Sequence, residues 1–424
     1  MQLFKNMTFT KMFLANFTSQ LGTVVGNMAF VFYLLDHFSS QPSYASIAEL
    51  MYSLPTLAVF LFVGVLADKL DRKRIAMNSD WIRAGLTVIL LLVLHQGWIA
   101  AAFAILFLRG AVSKFFVPAE TSLLQGIMKE DQYVQAAGLN QSIMGIFMLF
   151  GTGLGSIAYN YLGIEGAIII DGASFLISGL LIARCRFEPE VRLPNGPAKL
   201  KDLHIRVIAQ EFWQGFKYIR ANKLLLAIIS GFLVFGVING VFSVLPIFTM
   251  RYKLSPEHYQ TYSALLTVFL GIGFLIGSSI AAVLIQKFSK VTVLISGLIL
   301  SALLTFLLGM MDGIWIYMVL VLITGLILAP VNVVFGGWLP ELVDPGSMGR
   351  VSAWIDPLMM LGQSVSLGLV AVAFPQYVTI ESLYMVLGFC ILAVSLYYWV
   401  ILPSLNRKYQ LSRSESAGIS TAAE

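Results

Sequence analysis

The sequence predicts an all-α membrane protein of twelve transmembrane helices, arranged as two pseudo-symmetric bundles of six. Three observations lead there. The 424 residues are 58% hydrophobic and only 12% charged, about half the charge content of a soluble domain. Long stretches lack Asp, Glu, Lys and Arg altogether and reach the roughly 20 apolar residues that a helix needs to cross a bilayer. The basic residues also fall on alternate connections between those stretches. With a mean hydropathy of +0.84, this composition excludes a soluble enzyme, a secreted disulfide scaffold and a disordered chain. No alternation of polar and apolar residues over ten-residue units supports a β-barrel.

In chain order, the first apolar stretch is 12–35. It lacks a small-residue cleavage site and is too long for a signal-peptide core, so it reads as a retained span. The second is 50–67. The next charge-free run is broken by His95-Gln96-Gly97-Trp98, so it supplies the ends of two spans, 75–94 and 98–117. Span 132–164 follows, and span 166–184 is interrupted only by Asp171. Beyond a polar segment come 224–250, 258–286, 291–311, 313–340, 357–380 and 382–406. With the N-terminus inside, the cytoplasmic segments hold 22 Lys and Arg and the outside loops hold two, Arg251 and Lys253. This positive-inside bias places both termini in the cytoplasm of a multi-pass cell-membrane protein. It also accounts for the net charge of +5 without nucleic acid as a partner.

The polar segment divides the chain. Residues 1–184 form an N-terminal six-helix bundle, 185–222 a cytoplasmic linker, 223–402 a C-terminal six-helix bundle and 403–424 a cytoplasmic tail. The linker opens with Pro189, Pro194, Gly196 and Pro197. It then turns helical over 205–221, where Ile208, Phe212, Phe216 and Ile219 recur near the helical period. Such an amphipathic helix suits the inner membrane surface. The tail is polar, rich in Ser and Ala, and expected to be disordered. Cys185 and Cys390 sit far apart in topology and imply no disulfide. The four histidines form no cluster and no metal-ligand spacing exists, so no metal or cofactor is expected.

Between the second and third spans lies Gly64-Val65-Leu66-Ala67-Asp68-Lys69-Leu70-Asp71-Arg72-Lys73-Arg74, faintly echoed in the second half by Gln286-Lys287-Phe288-Ser289-Lys290. The loop resembles motif A of the major facilitator superfamily: Gly64, Asp68, Lys69, Arg72 and Lys73 match, while Asp71 stands where the motif has its second glycine. Asp68-Lys69-Leu70-Asp71-Arg72-Lys73-Arg74, Leu108-Arg109, Asn140-Gln141-Ser142, Asn222-Lys223 and Gly349-Arg350-Val351 also resemble the branch of bacterial macrolide-efflux proteins and the enterobactin exporter. The resemblance spans all twelve helices and implies the major facilitator fold, with alternating access by two rocking bundles in a monomer. For the loop's own chemistry, Gly64 permits close helix approach. Asp68 can face the positive N-terminus of the eleventh span near Arg350, a latch between the halves on the inner side. Arg72, Lys73 and Arg74 could pair with Asp80, Glu341 or Asp344. Asp80 and Arg83 are three apart on one helix face and are assigned to the same inner gate.

Ionisable groups inside the membrane cost about 2.5–3.5 kcal/mol each and are functional candidates by default. Arg109 lies about 16 Å from the outer end of its span at 1.5 Å per residue, close to the midplane. It matches the arginine of the family's motif B, which the resemblance links to proton transfer, although Val112 replaces that motif's glycine. Asp171, about one and a half turns into its helix, is a partly desolvated carboxyl that could take and release a proton. Glu49 and Glu120 lie nearer the interfaces and complete the proton-coupling candidates. Amides and aromatics suit a cavity for a large, mostly apolar ligand; the candidates are Asn27, Phe235, Asn239, Asn332, Trp354 and Gln363.

No Gly-x4-Gly-Lys-Ser/Thr phosphate loop is present, so transport would draw on an ion gradient. The expectation is a secondary active, proton-coupled exporter of a drug-like, macrolide-like or siderophore-like compound. The alternatives are a proton-coupled importer or, in another class, a non-transporting membrane receptor or scaffold. An enzyme is not expected.

Overall fold

The computed structural model describes residues 3–128, 132–193, 205–343 and 348–422; within its helices, the side chains of 61–69 and 348–350, among others, lie outside the described set. Every regular element among the described residues is helical. In order they are α1 (Met7–His37), α2 (Ser43–Lys69), α3 (Arg72–His95), α4 (Ile99–Ile127), α5 (Tyr133–Ala183), α6 (Pro189–Arg192) and α7 (Ile205–Ala221). There follow α8 (Lys223–Thr249), α9 (Tyr259–Phe288), α10 (Lys290–Met310), α11 (Ile314–Leu342), α12 (Met348–Ala373) and α13 (Ile380–Ala422). Ten helices among the described residues are long and apolar enough to cross a membrane. Their outward side chains include Leu92, Ile169, Val372 and Val400, each more than half exposed, as expected where lipid rather than water covers the surface.

Local sequence sets many of the boundaries. Asn6, Asp71, Asn222 and Ser289 precede α1, α3, α8 and α10, and each side chain accepts a hydrogen bond from a backbone N–H of the first turn. This satisfies donors that a helix start leaves orphaned. Helix α5 runs 51 residues but turns at Gly163, whose φ of 68° is readily reached only without a Cβ. The sequence places this break two residues later, at Glu165, because it senses the charge rather than the backbone.

Two compact units emerge. Unit 1 comprises Met1–Ile208, Ser255–Val268 and Leu367–Phe374; unit 2 comprises Ala209–Leu254, Phe269–Ser366 and Pro375–Glu424. In unit 1 the start of α1 lies beside the end of α5, since Lys11 Nζ donates to Arg184 O at 3.4 Å; that is the linker end, and His37 closes α1 at the far end. In unit 2 an aromatic cluster of Phe232, Phe235, Phe335 and Tyr398, with ring centroids 5.3–6.4 Å apart, packs the core, and Tyr398 Oη donates to Ile228 O at 2.8 Å. Lys253, one of the two bases expected outside, reaches Glu381 at 2.9 Å and Asp312 at 3.2 Å. Its charge is locally matched.

One expectation is corrected. The tail is helical, as α13 continues through Pro403 to Ala422, whereas its polar composition suggested disorder. Of the apolar stripe of α7, Phe212, Phe216 and Ile219 pack on protein, and the side chain of Ile208 lies outside the described residues. Phe212 stacks on Trp354 with centroids 4.0 Å apart, Phe216 lies 5.1 Å from the same ring, and Ile219 is buried in the core of unit 2.

Candidate functional site

Helix α1 presents Gly22 and Gly26 to the second half of α5, and Ser19 and Thr23 to α3. A Cβ on Gly22 would stand 2.0 Å from Ser174 Oγ, and one on Gly26 would stand 2.9 Å from Asp171 Oδ2. Only glycine admits this approach, the small-residue spacing typical of membrane helix contacts. It brings Asp171 against α1 with 1% of its surface exposed. Its Oδ2 accepts a hydrogen bond from Arg109 Nη2 of α4, which is also buried.

A second buried pair lies nearer the linker end. Arg83 Nη1 meets Asp80 Oδ1 at 3.2 Å, and the same guanidinium donates to Thr23 Oγ1 at 2.8 Å and Ser19 Oγ at 3.2 Å. Asp80 also accepts from Ser19 Oγ at 3.3 Å and from Ser178 Oγ. The ring of Phe175 links the pairs, with Arg83 Cζ 3.8 Å and Arg109 Cζ 5.3 Å from its centroid. Two acids and two bases thus cancel in formal charge. Each is hydrogen-bonded, the condition under which buried ions are tolerable.

Carboxylates flank this neutral array. Glu120, 4% exposed, has Asn16 as a hydrogen-bonding neighbour, while its Oε1 makes no hydrogen bond among the described residues. Asp171 Oδ1 and the Tyr52 hydroxyl are likewise buried without a partner there. Tyr52 lies within electrostatic range of Arg109, Glu49 and Asp171. Read along α1 from Asn16 to Gly26, the levels of Glu120, Asp80 and Asp171 span about 15 Å at 1.5 Å per residue.

The inner-gate candidates are described only in part. The side chains of Gly64, Asp68 and Lys69, the partner region at Arg350, and Asp344 lie outside the described residues. Lys73 Nζ donates to Ala183 O at 2.8 Å and Cys185 O at 2.9 Å, capping the end of α5. Arg74 pairs with Asp71 at 3.6 Å, and Glu341 pairs with Lys290. Lys73 and Arg74 thus find partners within unit 1. Asp80 and Arg83, assigned from the sequence to the inner gate, form part of the buried array of unit 1. Asp71, which replaces the motif's glycine, both caps α3 through Arg74 N and pairs with Arg192 of α6. Burial pushes its carboxyl up, but the Arg192 hydrogen bond, the Arg74 N–H and both guanidiniums outweigh that and hold it below the ordinary value of 3.8.

The cavity candidates divide between the units. Asn27 is half-buried in unit 1; in unit 2, Asn239 and Asn332 are exposed and Gln363 is half-buried. Phe235 belongs to the aromatic cluster, and Trp354 donates its Nε1–H to Phe212 O at 2.8 Å; packing occupies both. Sequence reasoning missed Ser19, Thr23, Phe175 and Ser178. The spacing Gly22-x3-Gly26 against Ser174-x3-Ser178 is the signal that could have found them. It also missed a far-end cluster in unit 1. There Asp36 accepts from Tyr259 Oη at 2.8 Å and Gln260 Nε2 at 3.0 Å, and Asn160 donates to Gln260 Oε1 at 2.5 Å. A cavity of about 560 Å³ beside it is lined by Tyr33, Asp36, His37, Tyr159, Asn160 and Glu165.

Comparison with known proteins bears on what this arrangement serves. The family model of the Major Facilitator Superfamily matches residues 12–367. An uncharacterized MFS-type transporter of Bacillus subtilis (strain 168), YkuC, is 49% identical over 407 residues, covering 96% of this chain and 95% of its own. Macrolide efflux protein A of Streptococcus pyogenes is 23% identical over 396 residues, covering 92% and 93%. Among solved structures, the peptide transporter POT in complex with sulfate superposes with a TM-score of 0.71 at 13% identity, over 94% of this chain and 95% of that one. That likeness concerns the fold alone.

Proposed function

The chain belongs to the Major Facilitator Superfamily, and on that premise we propose that it is a proton-coupled secondary exporter of a drug-like, macrolide-like or siderophore-like compound. As a member it is a multi-pass membrane transporter of small molecules and not an enzyme. In this proposal α5 counts as two spans parted at Gly163, giving twelve in all, six on each side of the linker, with both termini cytoplasmic and the chain monomeric. The observation that carries the coupling is the Arg109–Asp171 pair. One carboxylate oxygen is committed to the guanidinium while the other is buried with no partner among the described residues, so a proton can add at Oδ1 and weaken the hold on Arg109. Glu49 and Glu120 would pass the proton toward and away from this pair. Similarity to a macrolide efflux protein supports the outward direction.

In the cycle, substrate enters an inward-facing cavity near Asn27, Asn239, Asn332 and Gln363 from the cytoplasm or inner leaflet. The Asp68 latch then re-forms as the outer side opens, and protonation of Asp171 favours release outside. A susceptibility panel tests this, comparing cells with and without the protein and with the Asp68→Asn variant. Raised tolerance to some drug-like compound, lost in the variant at equal expression, is expected. No change across the panel, with siderophore export also unaffected, would overturn it.

A further inference from the structure

Helix α7 carries a flank that the transport cycle does not use. At 100° per residue and with Phe212 as origin, Phe216 and Ile219 fall at about 40° and about 340°. These are the side chains that pack on Trp354 and the core of unit 2. Trp213, Lys217 and Arg220 fall together at about 80–140°, and Gln210, Gln214 and Ala221 at about 160–200°. All six are exposed, Trp213 by 55%. On the opposite flank Gly215 is buried and Tyr218 half-buried. The helix therefore has a docked front, a polar back, and one exposed flank made of two bases and a tryptophan whose ring stacks on Phe216 at 5.3 Å.

The end of α7 is tied to a span. The helix ends at Ala221, and a helix long and apolar enough to cross a membrane begins at Lys223. Arg220 and Lys217 lie one and four residues before that end, within about 6 Å of it at 1.5 Å per residue, and Trp213 about 12 Å from it. The Lys217–Arg220 end of the flank then sits near headgroup depth. Tryptophan favours that depth because its ring is amphipathic, and bases there attract anionic lipids.

We propose that the Trp213–Lys217–Arg220 flank of α7 binds the headgroups of anionic phospholipids. Phe212, Phe216 and Ile219 of the stripe that made α7 look amphipathic in sequence are already used against protein, and this flank is what remains for lipid. Binding would tie the linker helix, and through the Phe212–Trp354 stack the start of α12, to the charge of the membrane. The inference is independent of the compound transported and of the direction of transport.

The test uses the full chain in nanodiscs of phosphatidylcholine mixed with phosphatidylglycerol, with bromine on the acyl chains of one lipid or the other. Trp213 is read as the emission difference between wild type and Trp213→Phe. Each base enriches anionic lipid roughly fivefold, so brominated phosphatidylglycerol should quench about threefold or more above brominated phosphatidylcholine. The preference should fall toward unity in Lys217→Gln/Arg220→Gln, and also in wild type as salt is raised. Equal quenching by both lipids, no quenching by either, or a preference that survives both loss of the bases and high salt would overturn the proposal.

Discussion

Replacing Asp171 by Asn should be more damaging than replacing its partner Arg109 by Gln. The reason lies in which charge is stranded. Asp171 is 1% and the Arg109 side chain 8% exposed, so water screens neither and the surface value of about 0–1 kcal/mol does not apply. Removing one member of a buried pair typically costs about 3–5 kcal/mol. In Asp171→Asn the guanidinium cannot shed its proton. It remains beside Phe175 with Arg83 on the same ring and only Asp80 left to balance two cations, so the full cost is expected. In Arg109→Gln the stranded carboxylate can neutralise itself by taking up a proton, which leaves an unsatisfied polar group worth about 1–3 kcal/mol. The double variant removes both charges and should be no worse than Asp171→Asn alone, with a coupling energy of about 2 kcal/mol or more. Reversible unfolding of the two single variants and the double in mixed micelles, followed by tryptophan emission, measures all three. Additive costs, or Arg109→Gln as the worse single change, would refute the reasoning.

Gly26→Ala places a Cβ 2.9 Å from Asp171 Oδ2, and the overpacking should cost about 1–3 kcal/mol in the same unfolding assay; an unchanged midpoint would contradict the close α1–α5 contact. Because the Asp71 carboxyl is held below 3.8 in the folded chain, its charge stabilises above that pH, and the benefit is lost as pH falls through the lowered value. The melting-temperature advantage of wild type over Asp71→Asn, which keeps the helix cap, should hold at neutral pH and vanish at low pH; a pH-independent difference would argue against the Arg192 pair. Tyr259→Phe removes a donor to a carboxylate at 2.8 Å, worth about 1.5–3 kcal/mol. Amide exchange in the first turn of α9 should then quicken roughly tenfold or more, and unchanged exchange would mean that the far-end cluster holds nothing shut.

What the sequence revealed follows from what hydropathy senses. Charge-free runs locate where lipid surrounds the chain, so α8–α11 match their windows within a few residues. Helices continue into water on hydrogen bonding and capping, which hydropathy does not register. Hence α1 begins at Met7 rather than 12, and α4 reaches Ile127 rather than 117. The pairing of Asp80 with Arg83 was legible because three residues on a helix share a face. The pairing of Arg109 with Asp171, 62 residues apart, was not, since it depends on how α4, α1 and α5 pack. Trp354 shows the same limit. Its residue type suits a cavity and a packing contact equally, and only the placement of Phe212 and Phe216 decides.

Uptake into inside-out membrane vesicles tests the central claim of proton-coupled export most directly. With the vesicle lumen made acidic, the wild-type protein should accumulate a compound identified by the susceptibility panel, and a protonophore should collapse the accumulation. Arg109→Gln and Asp171→Asn should both lose the response to the gradient. Accumulation that ignores the pH difference, or that occurs only in right-side-out vesicles, would contradict the account.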